Sequence, residues 1–416
     1  MIFKRKKLKK RFNILNKSLF KSKEKVTLKE QFISMVYFEI LGFILCIITL
    51  FVICGGKNYF KLYYELRKLI NVYDTVTSNY YGEIDKNEMI DSAIESMLSK
   101  AGDDYTTYTN QKDTKTFLEN MDSTYEGIGC TVAMNQSKEI YVVNVFDNSP
   151  AAAAGLQAND VILKIDGKSF EGKTSDEMSN YVKNNKKTSI ELTIRRGDVE
   201  KELTINRKKV EIPTVSGEVI TIDDKKIGYI DLSVFSSITY EQFKEELIKL
   251  EKEGIQGLII DVRNNTGGYL SSVTEISSMF LKKGDIIYQL EHDNKIEKIK
   301  DKTKENRKYP LAVLINAASA SASEILAAAM KESYNGIIVG TNSYGKGTVQ
   351  KTKQLSDGSM IKFTVQKWLT PKGNWINEVG VSPTEFVEYR TATDTGEIKV
   401  DRQLEKAKEL IIKKIK

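Results

Sequence analysis

Hydrophobic spacing changes several times along the chain, and each change marks a different kind of element. Over residues 33–56, ISMVYFEILGFILCIITLFVICGG, apolar residues run almost unbroken, and residues 40–56 carry no charge. A run of that length is enough to cross a bilayer as one helix. Over residues 57–120 the apolar positions recur every three or four residues. YFKLYYELRKLINVYDTVTSNYY and KNEMIDSAIESMLSKAGDD predict amphipathic helices, the second ending near Gly102. Over residues 121–207 the runs shorten: EIYVVNVF, DVILKIDG and SIELTIRRG predict strands between turns, with a helix over SNYVKNN. From 208 to 390 strands and helices alternate. KIGYIDLSVF, GLIID, LAVLINAAS and GIIVG read as strands, and TYEQFKEELIKLEKEG, SSVTEISSMFLKKG and SEILAAAMKES as helices between them. That order predicts an α/β core with parallel pairing. The segment 391–416 closes on an amphipathic helix, DRQLEKAKELIIKKIK.

Charge sharpens the N-terminal picture. Residues 1–30 hold twelve Lys or Arg against two Glu, which exceeds the net +7 of the whole chain, so the remainder is mildly acidic. A basic arm (1–32) ahead of an apolar span (33–56) predicts a cytoplasmic arm, a transmembrane helix and an extracytoplasmic body at the cell membrane. A cleaved signal peptide is the alternative, but no A-x-A site follows the span. Cys54 suggests lipid attachment, but bulky Ile53 stands where such sites want a small residue. The acidic body argues against a nucleic-acid partner. Cys46 and Cys54 lie in the span and Cys130 alone in the body, so no body disulfide and no cysteine-based metal site is expected. The single histidine, His292, sits in polar EHDNKIEK, which reads as a loop.

Three stretches with chemical potential fall at predicted strand ends, where α/β proteins collect ligand and catalytic groups. DVRNNTGG (261–268) ends in paired glycines, which serve either as a plain turn or to aim backbone N–H groups into a cavity. NAASASASEILAAAMK (316–331) sets three serines at alternate positions where a helix starts. Ser321 and Glu324 have capping-box spacing, so a cap is the simple reading; a nucleophile at the positive end of a helix is the other. SYGKGTVQ (343–350) places Lys346 between two glycines, and alternation puts Gln350 on its face if the strand begins at Lys346. With His292 elsewhere, a buried neutral lysine is the base this chain could offer a serine, and Gln350 would hold it by accepting a hydrogen bond. GTNSYGKG (340–347) also approaches a phosphate-binding loop, giving a nucleotide-binding alternative. Against it, Gly347 lacks the hydroxyl that Mg²⁺ needs and a strand follows instead of a helix.

DVRNNTGGYL, SASASEILAAAMK and YGKGTVQ, in this order, resemble the signature of the C-terminal processing peptidases, the tail-specific serine proteases of family S41. The resemblance extends over about residues 58–410 and includes YEGIGCTV, SPAAAAGLQANDVILKIDG, WLTPKGNWIN and VGVSPTEF. It implies a multidomain α+β protein: a mixed α/β serine-protease core (208–390) of the ClpP/crotonase-like kind, an inserted PDZ domain (121–207), an N-terminal helical segment (57–120) and a C-terminal helical tail (391–416). It implies Ser321 as nucleophile, Lys346 as base and Gln350 as its support, with the N–H groups of Ala322 and Gly267 as oxyanion hole. It further implies that Gly127, Ile128, Gly129 and Cys130 bind a substrate's terminal carboxylate. Family members can be gated by this domain, where Arg196 is a candidate participant. The implied partners are proteins or peptides with free C-termini, the bilayer through the N-terminal helix, and a second copy through the terminal helices. No cofactor or metal is expected, and no added peptidoglycan-binding domain. A catalytically silent PDZ scaffold is the remaining alternative.

Overall fold

The structure, a computed structural model, describes residues 28–53, 59–388 and 400–415. Most of the basic arm, Cys54 and the stretch 389–399 lie outside the described residues. The chain divides into two compact units, residues 1–89 and 90–416. In the first, the apolar run forms one helix, Leu28–Ile53, long and apolar enough to cross a membrane. Its side chains from Phe32 to Ile48 are mostly exposed. At 1.5 Å per residue it reaches about 39 Å, longer than a hydrocarbon core of about 30 Å. The helix Tyr59–Asn79 follows.

The second unit is built on a six-stranded sheet in the order Val215–Ile222, Lys225–Leu232, Gly257–Asp261, Leu311–Ile315, Ile337–Gly340 and Glu385–Phe386. The first pair is antiparallel and the rest are parallel. Gly257–Asp261, Leu311–Ile315 and Ile337–Gly340 are buried throughout, because helices cover both faces of the sheet. Leu258, Ile260, Val313 and Ile315 pack with the helices Thr239–Lys252, Leu270–Ser278 and Ala322–Ala329. Ile259, Ala312 and Leu314 turn the other way, onto Ala407 and Ile411 of the helix Arg402–Lys414. Phe243 and Phe280 meet edge-on at 6.2 Å, fully buried; burying such a side chain contributes about 1.5–3 kcal/mol.

The C-terminal helix is fastened by charge as well. Arg263 donates to Asp261, with Nη2 at 2.5 Å, and to Asp401, with Nη2 at 2.7 Å. Burial alone would raise the Asp401 carboxyl; the Arg263 hydrogen bond and charge outweigh it and hold that group below the usual range. Such a group contributes stability above its unfolded value, and loses it as the pH falls through the folded one.

Beside the core lies a second, antiparallel sheet in which Met360–Leu369 pairs with Thr107–Thr109, Ile286–His292 and Thr348–Gln354. His292 is not in a loop. It ends a strand that turns through Asp293 and Asn294, both at positive φ, into the strand Lys295–Lys300. Asp-Asn suits such a turn. Neighbouring Lys and Glu residues face solvent, which is why the hairpin looks like a polar loop in sequence.

The strand-rich insert has its own six-stranded sheet and core, including Ile140, Val142, Ile162, Leu192, Ile194 and Met178. It joins the rest through Thr124–Gly127, paired antiparallel with Lys208–Glu211, where the chain enters and leaves. The helix Ser175–Asn184 starts at a capping box between Thr174 and Glu177.

Candidate active site

The three predicted loops leave the carboxyl ends of three adjacent parallel strands, Gly257–Asp261, Leu311–Ile315 and Ile337–Gly340. Strands that point one way deliver their loops to one edge. There the loops surround a cleft of about 430 Å³ whose lining includes Gly267, Ser321, Lys346, Gln350, Lys362 and Trp368. A larger hollow, about 1090 Å³, opens among Gln256, Pro310 and Asn335 at the opposite end of the same strands. None of the motif residues lines it.

The alternate serines divide by direction. Ser319 and Ser323 are fully buried, and their hydroxyls donate to Val262 O at 2.7 Å and Asn265 O at 2.8 Å. They bind the helix start to the neighbouring loop. Ser321 faces the cleft, at φ 54° and ψ −113°. A non-glycine residue held in such a region stores about 1–3 kcal/mol, and surrounding bonds must enforce it. The bond that does so runs from Ser321 N–H to Glu324 Oε2, 2.8 Å. The Ala322 N–H beside it, at the first turn of the helix, has no acceptor among the described residues.

The double glycine is required by space. A Cβ on Gly267 would stand 2.8 Å from Ser321 Cβ, and one on Gly268 would stand 2.0 Å from Phe235 O. Both have positive φ, 104° and 144°. Here the geometry corrects an expectation. The Gly267 N–H donates to Asn265 Oδ1 at 2.9 Å and is occupied, whereas Gly268 N–H has no acceptor among the described residues. Buried Asn265 also donates to Leu232 O, 2.7 Å, which holds the whole turn. Its role depends on partners far away in sequence and was not legible there.

Glu324 is the residue the spacing undersold. Fully buried, it accepts from Ser321 N–H and Lys346 N–H on Oε2, and from Gly345 N–H and the Ser343 hydroxyl on Oε1. The distances are 2.8, 2.9, 2.7 and 2.5 Å respectively. The capping-box spacing pointed to the first bond; the other three join the serine turn to the lysine loop. These bonds also dispose of the phosphate-loop alternative, since the amides that would cradle a phosphate already hold a carboxylate.

Lys346 is fixed through its backbone. Its N–H is on Glu324 and its carbonyl accepts from the Trp368 indole at 2.7 Å. Its ammonium lies 4.5 Å from the centroid of the Tyr105 ring. Burial pushes the Lys346 amine below the ordinary lysine value and the Lys362 charge adds to this, while Glu324 opposes it. Ser321 and Lys346 share the cleft with no hydrogen bond between them.

Gln350 lies in the same cleft but is held differently from the expectation. The strand begins at Thr348, and a bulge between Val349 and Gln350 breaks the simple alternation. The Gln350 amide nitrogen donates to Thr348 Oγ1 at 2.9 Å and to Thr364 Oγ1 at 3.2 Å, and no bond joins it to Lys346.

In the insert, Ile128 and Cys130 line a separate groove of about 380 Å³, between the strand Cys130–Met134 and the helix Ser175–Asn184. Gly127 and Gly129 belong to the same turn. Tyr125 also lines the groove, with its phenol facing the Gly129 and Cys130 N–H groups; burial raises it to about 12. Burial likewise raises the Cys130 thiol to about 12, which makes it unreactive. Arg196 stays out of the groove: it grips buried Asp160 through two 2.7 Å bonds and donates to Gly155 O. It is a strut of the insert.

All four partners of Glu324 are donors, so replacing one carboxylate oxygen by an amide sets donor against donor. Glu324→Gln is expected to lose about 1–3 kcal/mol of stability for each buried donor left unpaired. Urea unfolding measures it, and an unchanged midpoint at unchanged slope would show that the four bonds carry no stability.

Family models match three segments: "Peptidase family S41" at residues 226–387, "PDZ domain" at 127–206, and "Activating protease CtpB N-terminal domain" at 55–114. Carboxy-terminal processing protease CtpB of Bacillus subtilis (strain 168) is 39% identical over 340 residues, spanning 81% of this chain and 71% of that protein. Carboxy-terminal processing protease CtpA of the same organism is 37% identical over 318 residues, spanning 76% and 67%. Among solved structures, a Bacteroides fragilis chain assigned to the S41 proteases aligns with TM-score 0.50 at 17% identity, covering 80% of this chain and 98% of that one, a likeness of fold. The photosystem II D1 C-terminal processing protease aligns with TM-score 0.48 at 26% identity, covering 82% and 89%. Identity of this extent, over two thirds or more of two relatives, places the chain in peptidase family S41, among the serine-type carboxy-terminal processing peptidases that carry a PDZ domain.

Proposed function

We propose that this chain is a membrane-anchored endopeptidase that captures protein C-termini in its PDZ groove and cleaves nearby with a Ser321–Lys346 dyad. The observation that carries the reading is the strained Ser321, at a helix start, in one cleft with a half-buried lysine. In this mechanism Ser321 Oγ attacks the scissile carbonyl carbon as its proton passes to neutral Lys346 Nζ. The carbonyl oxygen becomes an oxyanion received by the N–H groups of Ala322 and Gly268. The carbon–nitrogen bond breaks as Lys346 returns the proton to the leaving amine. Water, deprotonated by Lys346, then releases the acyl group from Ser321. Each oxyanion donor contributes about 2.7–4 kcal/mol in comparable sites. Gln350 acts on the lysine through its carbonyl oxygen, since its amide nitrogen is engaged. The cleft wall, with Leu270, Ile325 and Val349, suits an apolar residue beside the cut. The exposed helix Leu28–Ile53 supports the anchor, and the basic arm before it supports a cytoplasmic N-terminus. The S41 membership and the pairing of PDZ and protease domains favour this reading over a silent scaffold.

Four outcomes test it. Ser321→Ala and Lys346→Ala each abolish peptide cleavage, and Lys346→Arg does too, because a guanidinium keeps its proton at working pH. Wild-type kcat/KM rises with pH as Lys346 loses its proton, through a value below that of a free lysine; substantial cleavage by Lys346→Arg sinks the dyad. Amidating a peptide's C-terminus weakens its capture, since the GIGC turn offers N–H groups to a carboxylate; equal KM for acid and amide removes that role. Protease added to intact cells digests the body and spares the arm; a body protected until lysis overturns the topology.

A further inference from the structure

Two ammonium groups line the active cleft, and no Asp or Glu is among its lining residues. Lys346 is one. The other, Lys362, belongs to the strand Met360–Leu369. The register sets Gln350 against Thr364 and Thr352 against Lys362. Alternation therefore puts Gln350, Thr352, Lys362 and Thr364 on one face. The 3.2 Å bond from Gln350 to Thr364, together with the lining of the cleft, identifies it as the face that looks into the site. The Lys362 ammonium stands 5.7 Å from the centroid of Phe117, and no carboxylate among the described residues pairs with it.

The groups around the Lys346 amine divide by sign. The Tyr105 ring favours the ammonium, since a cation over an aromatic face is stabilised. Glu324 favours it too. The Tyr105 hydroxyl, bonded to Tyr344 and raised by burial to about 12, stays neutral at physiological pH. Asp103, reached through Thr364, is occupied by the Thr106 and Thr364 hydroxyls and by the N–H groups of Tyr105 and Thr106. Lys362 is the charge in the cleft that works against the proton on Lys346. We infer that Lys362 is a positioning residue that keeps Lys346 available as a base: a second ammonium in the same partly dry cleft makes protonation of Lys346 unfavourable. The inference rests on the Ser321–Lys346 reading. Lys362 acts through Lys346 and not on the reacting atoms. A neighbouring cation is an established way to free a lysine from its proton.

The test follows the rate at which a fluorophosphonate labels Ser321 as a function of pH, using the full chain in detergent. This reports the base without depending on peptide binding. In Lys362→Gln the rise in labelling moves to higher pH. On the rising limb the rate falls several-fold below wild type, and on the plateau it matches wild type. Lys362→Arg restores the wild-type profile. Lys362→Met keeps the aliphatic packing on Phe117 and replaces the glutamine variant if that one fails to fold. A limb that stays put, or an equal loss at every pH, overturns the inference. Lys346→Ala separates the two levels: if it labels as fast as wild type the dyad itself fails, and if it is inert while the limb stays put, only the role of Lys362 fails.

Discussion

A buried carboxylate with four donors on it sets the geometry of the edge where the Ser321 and Lys346 loops meet. Glu324 lies in the first turn of the Ala322–Ala329 helix, where negative charge is favoured by the helix dipole. An isolated carboxylate in that interior would be strongly disfavoured. With Ser321, Ser343, Gly345 and Lys346 all donating to it, the same charge becomes an anchor for two loops, which are also joined by the bond from Tyr344 N–H to Ser319 O at 3.0 Å. Hydrogen bonds to an ionised acceptor are roughly twice as strong as neutral ones. Since every partner is a donor, no neutral side chain of similar shape serves as well.

The anchor acts on backbone and leaves the reactive ends free. The peptide of Lys346 is clamped on both sides, by Glu324 and by the Trp368 indole, while its ammonium extends along the Tyr105 ring. Ser321 is held at positive φ by the same carboxylate, with Gly267 packed against it from the other side. Strain here is supported by buried bonds from Ser319 and Ser323 to the 262–265 backbone. The backbone of Lys346 is therefore fixed independently of its ammonium, which among the described residues makes no hydrogen bond to the loops.

The PDZ domain is joined to this frame by chain continuity. The helix Gln111–Asp122 supplies Phe117, Leu118 and Met121 to the wall of the cleft and runs directly into the paired strands at the base of the insert. At its end, Asp122 accepts from the Tyr269 hydroxyl at 2.9 Å, and Tyr269 follows Gly268 in the double-glycine turn. A wall of the Ser321 cleft and the stem of the PDZ domain are therefore one stretch of polypeptide.

Much of this was legible in residue order. The apolar run, the helical spacing of 57–120, the short alternating runs of the insert and the strand–helix alternation of the core each follow from a period that one element obeys by itself. Ser321, Lys346 and Gln350 were legible as candidates, because a helix start, a lysine between glycines and a single histidine placed elsewhere leave few other chemistries, and all three line the same cleft. What the sequence withheld were pairings between distant segments. The hairpin at His292 hid because its exposed strands are polar. Asn265 reaches back to Leu232 O, the Gln350 nitrogen went to Thr364, and three of the four bonds to Glu324 come from a loop about twenty residues on. Local spacing determines which elements form and which chemistry they carry. Which donor meets which acceptor is decided when parallel strands bring their loops to one edge, because a hydrogen bond depends on distance and angle in space and not on separation along the chain.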